Sequence, residues 1–329
     1  MSQKKTGKVN VAASENKAAA FIKENLGIII ALFALCLLLS VLPTTSSSFL
    51  SSQNMFNILR QISTNMLIAC AMTMVIILGG IDLSVGSIIA LSGVIAAGCV
   101  SRYHLPIGVA LVAGVLVGVV IGVFNGLIIC KTTIPPFIVT LATMNIARGL
   151  AKVYTGGSPV RVVTKEWQFI GAGYVGPVPV PVIIMIAAII VTALMMNKTK
   201  LGRHIYAVGG NTQAAIFSGI KVAKVKFIVH AYTGLMAGLA GIILASRMYS
   251  GQPTAGEGAE MDAIAAVVVG GTSMAGGAGK IGGTIIGALI IGVLNNGLNL
   301  MNVNSFWQDV VKGIVILLAV FIDYIRNRK

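Results

Sequence analysis

The sequence contains few charged residues: Asp, Glu, Lys and Arg make up only 10 % of its 329 residues. A soluble globular domain carries roughly 25 %, so the charges available cannot cover a water-facing surface for a chain of this length. Hydrophobic residues reach 56 %, and the mean hydropathy is +0.93. These values exclude a soluble enzyme, a nucleic-acid-binding protein and a disordered chain. They predict a protein that crosses the membrane several times.

Acidic residues are the scarcest charges, with nine against 24 Lys and Arg, and the formal net charge is +15. In a soluble protein this excess would favour nucleic-acid binding. Here the cations lie mostly between apolar runs, so we interpret the excess as a signal of membrane topology. We expect no nucleic-acid partner.

Cysteine and histidine are also rare, and neither forms a recognisable site. The sequence has four Cys and three His, and it contains no Cys-x-x-Cys motif. The cysteines lie in or at the ends of apolar runs, at Cys36, Cys70, Cys99 and Cys130. We interpret them as small apolar residues and predict neither a metal site nor catalytic residues.

Ten apolar runs are candidates for helices that cross a bilayer, which takes about 20 residues each. They lie at 26–43, 62–80, 84–101, 106–129, 135–153, 179–196, 227–246, 261–274, 282–301 and 306–323. The predicted fold class is therefore an all-α polytopic membrane protein of about ten transmembrane helices. Its membrane domain would cover 25–325, after an N-terminal tail at 1–24.

Ten spans place both termini on one side of the membrane, and that side carries 16 of the 24 cations. Because cytoplasmic loops are enriched in Lys and Arg, we expect both termini, and the tail at 1–24, in the cytoplasm. Two longer polar segments follow from this topology. Residues 154–178 would form an external loop, and residues 197–226 a cytoplasmic loop with six cations and no acid.

Two apolar helices carry a similar short motif. IGVF-NGL at 121–127 matches IGVLNNGL at 291–298 when one gap is allowed, and the two motifs run in opposite directions across the membrane. Spans 2–5 and 7–10 would then be inverted copies, an arrangement found in transporters, where the pathway lies between the copies. The alternative is a chance resemblance between glycine-rich helices.

Polar residues within or between the apolar runs are the next candidates for function. Asp82 and Ser84 lie in GGIDLSVGS, and Asp262 opens the run after PTAGEGAE. They either cap helices or take part in a pathway or its gating. Asp309 and Lys312 are three residues apart on one helix, so they can pair with each other.

Amide side chains within the apolar helices have two interpretations as well: they join helices, or they line a path for a hydroxylated solute. The candidate pathway or gating residues are Asp82, Ser84, Asn125, Asn145, Asp262, Asn295 and Asn296.

The segment GGTSMAGGAGKIGG at 270–283 resembles nucleotide-binding loops only formally. It matches G-x-G-x-x-G at 277–282, but no strand–turn–helix unit surrounds it, and it departs from the P-loop pattern at Met274 and Ile281. We therefore predict no bound cofactor and no ATP site in this chain. The glycines favour a turn or close helix packing.

Within the loop 197–226, Gln213, Ala214 and Ala215 are followed by Gly219. This spacing predicts a short helix that ends at a glycine cap. Such a helix could dock on a soluble partner or lie against anionic lipid headgroups. The alternative is an ordinary basic loop.

Four motifs together carry a resemblance to a known family. They are GIDLSVGS at 80–87, LGRHIYAVGGN at 201–211, QPTAGEGAEMDAIAAVVVGGTSMAGGAGKIGGT at 252–284 and NNGLN at 295–299. The chain resembles permeases of the branch of ATP-binding-cassette importers that carries ribose, galactose, xylose and autoinducer-2. The resemblance covers roughly 25–325.

This resemblance implies a bacterial inner-membrane permease, most readily for ribose, with ATP bound by a separate cytoplasmic subunit. It also implies an extracytoplasmic sugar-binding protein, a second permease copy, probable homodimerisation being replaced by a related chain as the alternative, and surrounding membrane lipid. An ion-coupled carrier that uses Asp82 and a non-transporting scaffold are the competing functions.

Permeases of this class dock on the ATPase through a loop of pattern E-A-A-x-x-x-G. Gln213 and Gly219 match its first and last positions, with Gln in place of Glu, while the downstream I-x-L-P is missing. The expected coupling residues are Gly210, Asn211, Gln213, Ala214, Ala215, Ser218 and Gly219.

Overall fold

The computed structural model describes residues 9–327, and helices dominate this range. The helices are α1 (Val9–Val41), α2 (Ser46–Phe49), α3 (Ser52–Ile77), α4 (Val85–Ser101), α5 (Ile107–Lys131), α6 (Pro136–Thr155), α7 (Lys165–Ala172), α8 (Val180–Lys198), α9 (Lys200–Gly210), α10 (Thr212–Phe217), α11 (Val222–Arg247), α12 (Ala259–Val269), α13 (Ile281–Leu300) and α14 (Ser305–Asn327). Four two-residue strands complete it: β1 (Val160–Arg161), β2 (Tyr174–Val175), β3 (Val178–Pro179) and β4 (Ser250–Gly251).

Within residues 9–327, six helices are long and apolar enough to cross a membrane: α3, α5, α8, α11, α13 and α14 as far as Ile325. The Asn25–Val41 part of α1 and the helix α4 are apolar but shorter. The mainly helical membrane fold is thus supported, whereas the count of ten spans is not confirmed. The predicted N-terminal tail also differs, because α1 already begins at Val9; residues 1–8 lie outside the described range.

The loops gather at two ends of the helical bundle. At the end that we call the basic end, the Gly277 backbone N–H donates to the Ile77 carbonyl at 2.8 Å. At the other end, the strand end, β1 pairs antiparallel with β4, and β2 with β3. The predicted external loop 154–178 is therefore an ordered segment that contains α7 and three of the strands.

Helices α5 and α11 touch through their backbones. Glycines recur at every fourth position of α5, and a Cβ on Gly118 would overlap the Gly234 carbonyl oxygen. A Cβ on Gly122 would likewise overlap the His230 carbonyl oxygen. Small residues at this spacing allow the close approach that drives helix association in a bilayer. The glycines of α5 therefore fix the position of α11, against which α3 and α4 also pack.

The chain between β4 and α12 enters the bundle instead of crossing the strand end. A Cβ on Gly251 would lie 2.7 Å from the Val94 Cα, whereas one on Gly86 would overlap the Gly256 carbonyl oxygen. Val94 and Gly86 are about 12 Å apart along α4, at 1.5 Å per residue. The segment therefore follows α4 inward, and Arg148 of α6 donates to two of its carbonyls at 2.8 and 2.7 Å.

Helix α12 consequently begins inside the bundle and is only 11 residues long. At 1.5 Å per residue it spans about 16 Å, roughly half of a hydrocarbon core. The predicted span 261–274 is wrong as a complete crossing, because the helix ends at Val269. Beyond it the backbone turns through glycines with positive φ, such as Gly271 at +84° and Gly276 at +86°.

The α5–α11 contact can be tested with a pair of alanine substitutions in α5. Gly118→Ala should destabilise the protein by about 1–3 kcal/mol, because the new methyl group overlaps the facing backbone. Gly108→Ala is the matched control, since no atom lies within 4 Å of the added Cβ. We expect a lower thermal midpoint of detergent-purified protein only for the first variant. Equal midpoints would contradict backbone contact between these helices.

Candidate functional site

Asp82, Ser84 and Asn125 form one buried polar cluster near the basic end. The Asp82 Oδ1 atom accepts hydrogen bonds from the Ser84 backbone N–H at 2.9 Å and from its hydroxyl at 2.6 Å. Asn125 of α5 donates from Nδ2 to the Ser84 Oγ atom at 3.0 Å. All three residues are 0 % exposed. The structure therefore joins three of the predicted pathway residues.

The cluster separates the two interpretations of Asp82. Ser84, not Asp82, is the N-cap residue of α4, and its side chain makes no capping hydrogen bond. Asp82 instead closes the turn before the helix. Its Oδ2 atom and the Asn125 Oδ1 atom are buried and have no hydrogen-bond partner, so the turn alone does not use all of the polar groups present.

A second cluster joins α12, α13 and α14. Asn295 donates from Nδ2 to the Asp262 Oδ2 atom at 3.3 Å, and the Lys312 Nζ atom lies 3.5 Å from the Asp262 Oδ1 atom. Lys312 also pairs with Asp309 at 3.7 Å, which confirms the predicted pair within α14. Asp262 is thus connected to both neighbouring helices, which the sequence did not indicate.

Asn296 and Asn54 form a reciprocal amide pair. Each donates from Nδ2 to the Oδ1 atom of the other, at 2.8 and 3.0 Å. The interpretation of Asn296 as a residue that joins helices is therefore confirmed. Asn54 was missed because the predicted span began at residue 62, whereas α3 begins at Ser52.

Asn145 does not join either cluster. It lies on the exposed face of α6, and its Nδ2 atom donates to the Leu141 carbonyl of the same helix at 3.1 Å. Its neighbours on this face are apolar, including Ile138, Ile146 and Val153. An amide in this position faces either lipid or a second protein surface.

The residues 210–219, which we call the coupling segment, contain the predicted short helix. The Asn211 side chain caps α10 by accepting from the Ala214 backbone N–H at 2.9 Å. At the other end the Gly219 N–H donates to Ile216, and the Ile220 N–H donates to Ala215. These two hydrogen bonds, with Gly219 at φ +79°, form a Schellman C-cap. The predicted glycine cap is confirmed.

The side chains of α10 divide into a buried and an exposed set. Ala215 is 3 % exposed, whereas Gln213, Ala214 and Ser218 face solvent. Phe217 is 88 % exposed, the highest value among the large hydrophobic residues described. Sequence analysis did not select Phe217, although an aromatic residue within a polar, basic loop was a usable signal. The exposed face of α10 is therefore apolar at its C-terminal end.

The coupling segment rests on the glycine-rich turn at 270–280. A Cβ on Gly277 would lie 2.7 Å from the Gly210 Cα. The Tyr206 hydroxyl of α9 donates to the Gly279 carbonyl at 2.8 Å, and burial raises the pKa of this phenol. Because that turn follows α12 directly, the coupling segment is connected through α12 to the Asp262 cluster.

Comparison with known proteins assigns most of the chain to one family. Residues 54–320 match the model for the permease component of branched-chain amino acid transport systems. The ribose import permease protein RbsC of Bacillus subtilis is 50 % identical over 304 residues, which is 92 % of this chain and 93 % of that protein.

Further relatives carry related names. RbsC of Escherichia coli K12 is 49 % identical over 296 residues, covering 89 % of this chain and 92 % of that protein. The xylose transport system permease protein XylH of Haemophilus influenzae is 34 % identical, covering 93 % of this chain and 98 % of that protein. No solved structure is significantly similar to the chain.

The buried serine pair before and within α4 offers a test of the first cluster. Ser84→Ala removes a hydroxyl that bonds both Asp82 and Asn125, so we expect a loss of about 1–3 kcal/mol in stability. Ser87→Ala is the control, because its Oγ atom is equally buried but has no hydrogen-bond partner. Thermal midpoints of the two purified variants measure the difference. A similar midpoint for both would contradict a bonded cluster.

Proposed function

The chain belongs to the family of branched-chain amino acid transport system permease components, and from this membership we propose that it is the membrane-spanning permease subunit of an ATP-driven ribose importer. The carrying observation is the 50 % identity to a ribose import permease over 92 % of the chain. Identity to a xylose permease is lower, at 34 %, which favours ribose. The chain is a transport subunit and not an enzyme, and it is a multi-pass protein of the bacterial inner membrane.

The energy source in this proposal is a separate cytoplasmic ATPase that binds the coupling segment. Phe217 and Ile216 are 88 % and 50 % exposed, and both would be buried in an apolar groove of that partner. The exposed cations Arg203, Lys221 and Lys224 surround the segment and favour a groove with an acidic rim. ATP is bound by the partner, so this chain itself carries no cofactor.

The basic end then faces the cytoplasm, together with both termini. The cation excess expected on that side supports this orientation. The strand end faces outward, where an extracytoplasmic binding protein would deliver the sugar. Exposed cations at this end, among them Arg102, Arg161 and Lys165, favour a binding protein with acidic contact residues.

We propose further that α3–α6 and α11–α14 are inverted copies. In both halves, an asparagine of the third helix bonds to polar groups near the start of the second helix. Asn125 of α5 reaches Ser84 before α4, and Asn295 of α13 reaches Asp262 in the first turn of α12. The motifs at 121–127 and 291–298 supply both asparagines. Asp82, Ser84 and Asp262 would thus mark equivalent places in the two halves, where gating occurs.

A second copy of the chain would cover α6, with the sugar path between the copies. Helices α5 and α8 expose only apolar side chains at their centres, as suits lipid. The exposed face of α6 carries Asn145, whose amide would be costly in lipid. The proposal therefore places Asn145 at the path, where it can bind sugar hydroxyls.

Disulfide cross-linking tests this arrangement. In a background without the four native cysteines, Asn145→Cys should form a covalent dimer in oxidised membranes, because the two α6 helices face each other across the path. Val120→Cys, on the exposed face of α5, is the control and should remain monomeric. Cross-linking that is equal at both positions, or greater at Val120, would contradict a dimer through α6.

The coupling proposal predicts the effect of a charge at Phe217. Phe217→Asp should reduce co-purification of the ATPase subunit and ribose uptake by roughly tenfold or more, since an aromatic anchor at an interface contributes at least ~1.4 kcal/mol. Phe169→Asp, at the strand end and 49 % exposed, should leave ATPase binding unchanged. Membrane insertion, measured by yield in detergent, should be normal for both. Wild-type ATPase recovery with Phe217→Asp would contradict docking through α10.

An ion-coupled carrier is the second candidate, and the buried Asp82 carboxylate is the observation that favours it. The two functions differ in their energy source. Purified permease alone in proteoliposomes should not accumulate ribose under a proton or sodium gradient. Accumulation under these conditions would favour the carrier and reject the ATP-driven importer.

A further inference from the structure

A cleft between α1 and α14, close to the basic end, has no part in the proposed function. Its volume is about 850 Å³, which is within the range of roughly 300–1,000 Å³ of small-molecule sites. Its floor is formed by the end of α12 and by the glycine-rich turn, including Val268, Gly271 and Gly279. It is therefore a formed site at the edge of the bundle.

The cleft opens toward the surface that faces the bilayer. Helix α1 packs on α13, whereas α14 packs on α12, so the first and last helices are held on different neighbours. Leu318 lines the cleft and is 55 % exposed. The outer faces of the two helices carry Phe33, at 72 %, and Leu317, at 70 %. A ligand that enters between these faces comes from the lipid phase.

Two side chains of opposite charge line the same cleft, Lys280 and Asp323. The Asp323 Oδ2 atom also accepts from the Met274 backbone N–H of the glycine-rich turn at 3.3 Å. The other walls are mainly apolar, with Ile28 and Val315 among them. One cation and one anion beside an apolar cleft match a zwitterionic headgroup attached to acyl chains.

We propose that this cleft binds one phospholipid with a primary-amine headgroup, phosphatidylethanolamine, from the leaflet at the basic end. The phosphate pairs with Lys280, the ammonium group donates to Asp323, and an acyl chain lies between α1 and α14. A choline headgroup meets this site poorly, because its quaternary ammonium has no N–H to donate. A glycerol headgroup lacks the positive charge.

The bound lipid would also stabilise the turn on which the coupling segment rests. Lys280 is the N-cap residue of α13, and Gly279 accepts the hydrogen bond from Tyr206 of α9. Lipid binding itself does not rest on the transport proposal, so each can fail without the other.

The test measures lipid binding to the purified permease by native mass spectrometry, with a thermal midpoint in parallel. Delipidated protein is mixed with phosphatidylethanolamine, phosphatidylcholine or phosphatidylglycerol of identical acyl chains. We expect one bound phosphatidylethanolamine, with an affinity roughly tenfold or more above the other two lipids, and a higher thermal midpoint with that lipid alone.

Two variants of α14 locate the site. Ala319→Trp fills the cleft and should abolish the preference for phosphatidylethanolamine, whereas Leu317→Trp, on the outer face, should retain it. Asp323→Asn should reduce the preference without filling the cleft, which covers the case in which Ala319→Trp misfolds. Equal binding of the three lipids, stronger binding of phosphatidylglycerol, or an unchanged preference in both Ala319→Trp and Asp323→Asn would overturn the proposal.

Discussion

The fold depends on backbone contact between α5 and α11. Two helices can approach this closely only where neither presents a Cβ, and Gly118, Gly122 and Gly234 provide such positions. Because lipid supplies no hydrophobic driving force between helices, close packing has to supply much of the association energy. With α11 fixed against α5, the helix α4 lies beside both, and α4 in turn supports the segment that enters the bundle beside Gly86. The position of α12 therefore follows from a contact made two helices away.

Polar side chains complete what this packing begins. A membrane interior provides no water to satisfy buried groups, so each amide or carboxylate within the bundle needs a partner from another element. Asn54 and Asn296 satisfy each other, while Asn295 and Lys312 satisfy Asp262. The cluster at Asp82 is different, because one of its carboxylate oxygens has no hydrogen-bond partner. The unused oxygen distinguishes a purely structural turn from a place where a polar group is available for gating.

The sequence predicted those features that depend on local composition. Apolar runs predicted the positions of the long helices to within a few residues at many ends, and the spacing from Gln213 to Gly219 predicted the capped helix α10. It failed where structure depends on contacts distant in sequence. The run 261–274 is apolar throughout a region in which the chain actually enters the bundle and stops at Val269. Likewise, Asn145 resembles Asn125 in its sequence setting, and only the packing of α6 separates an exposed amide from a buried one.

The short helix α12 connects the two functional regions physically. At its end, the glycine-rich turn contacts the coupling segment through Gly277 and Gly210 and is bonded to α9 through Tyr206. Near its start, Asp262 is bonded to α13 and α14. A helix of 11 residues is a stiff element, so a displacement of the turn is transmitted to Asp262 as a shift of the whole helix. The flexible glycines lie beside the partner's docking site, whereas the ion pair lies toward the strand end. This arrangement suits a subunit whose pathway is moved from its inner surface.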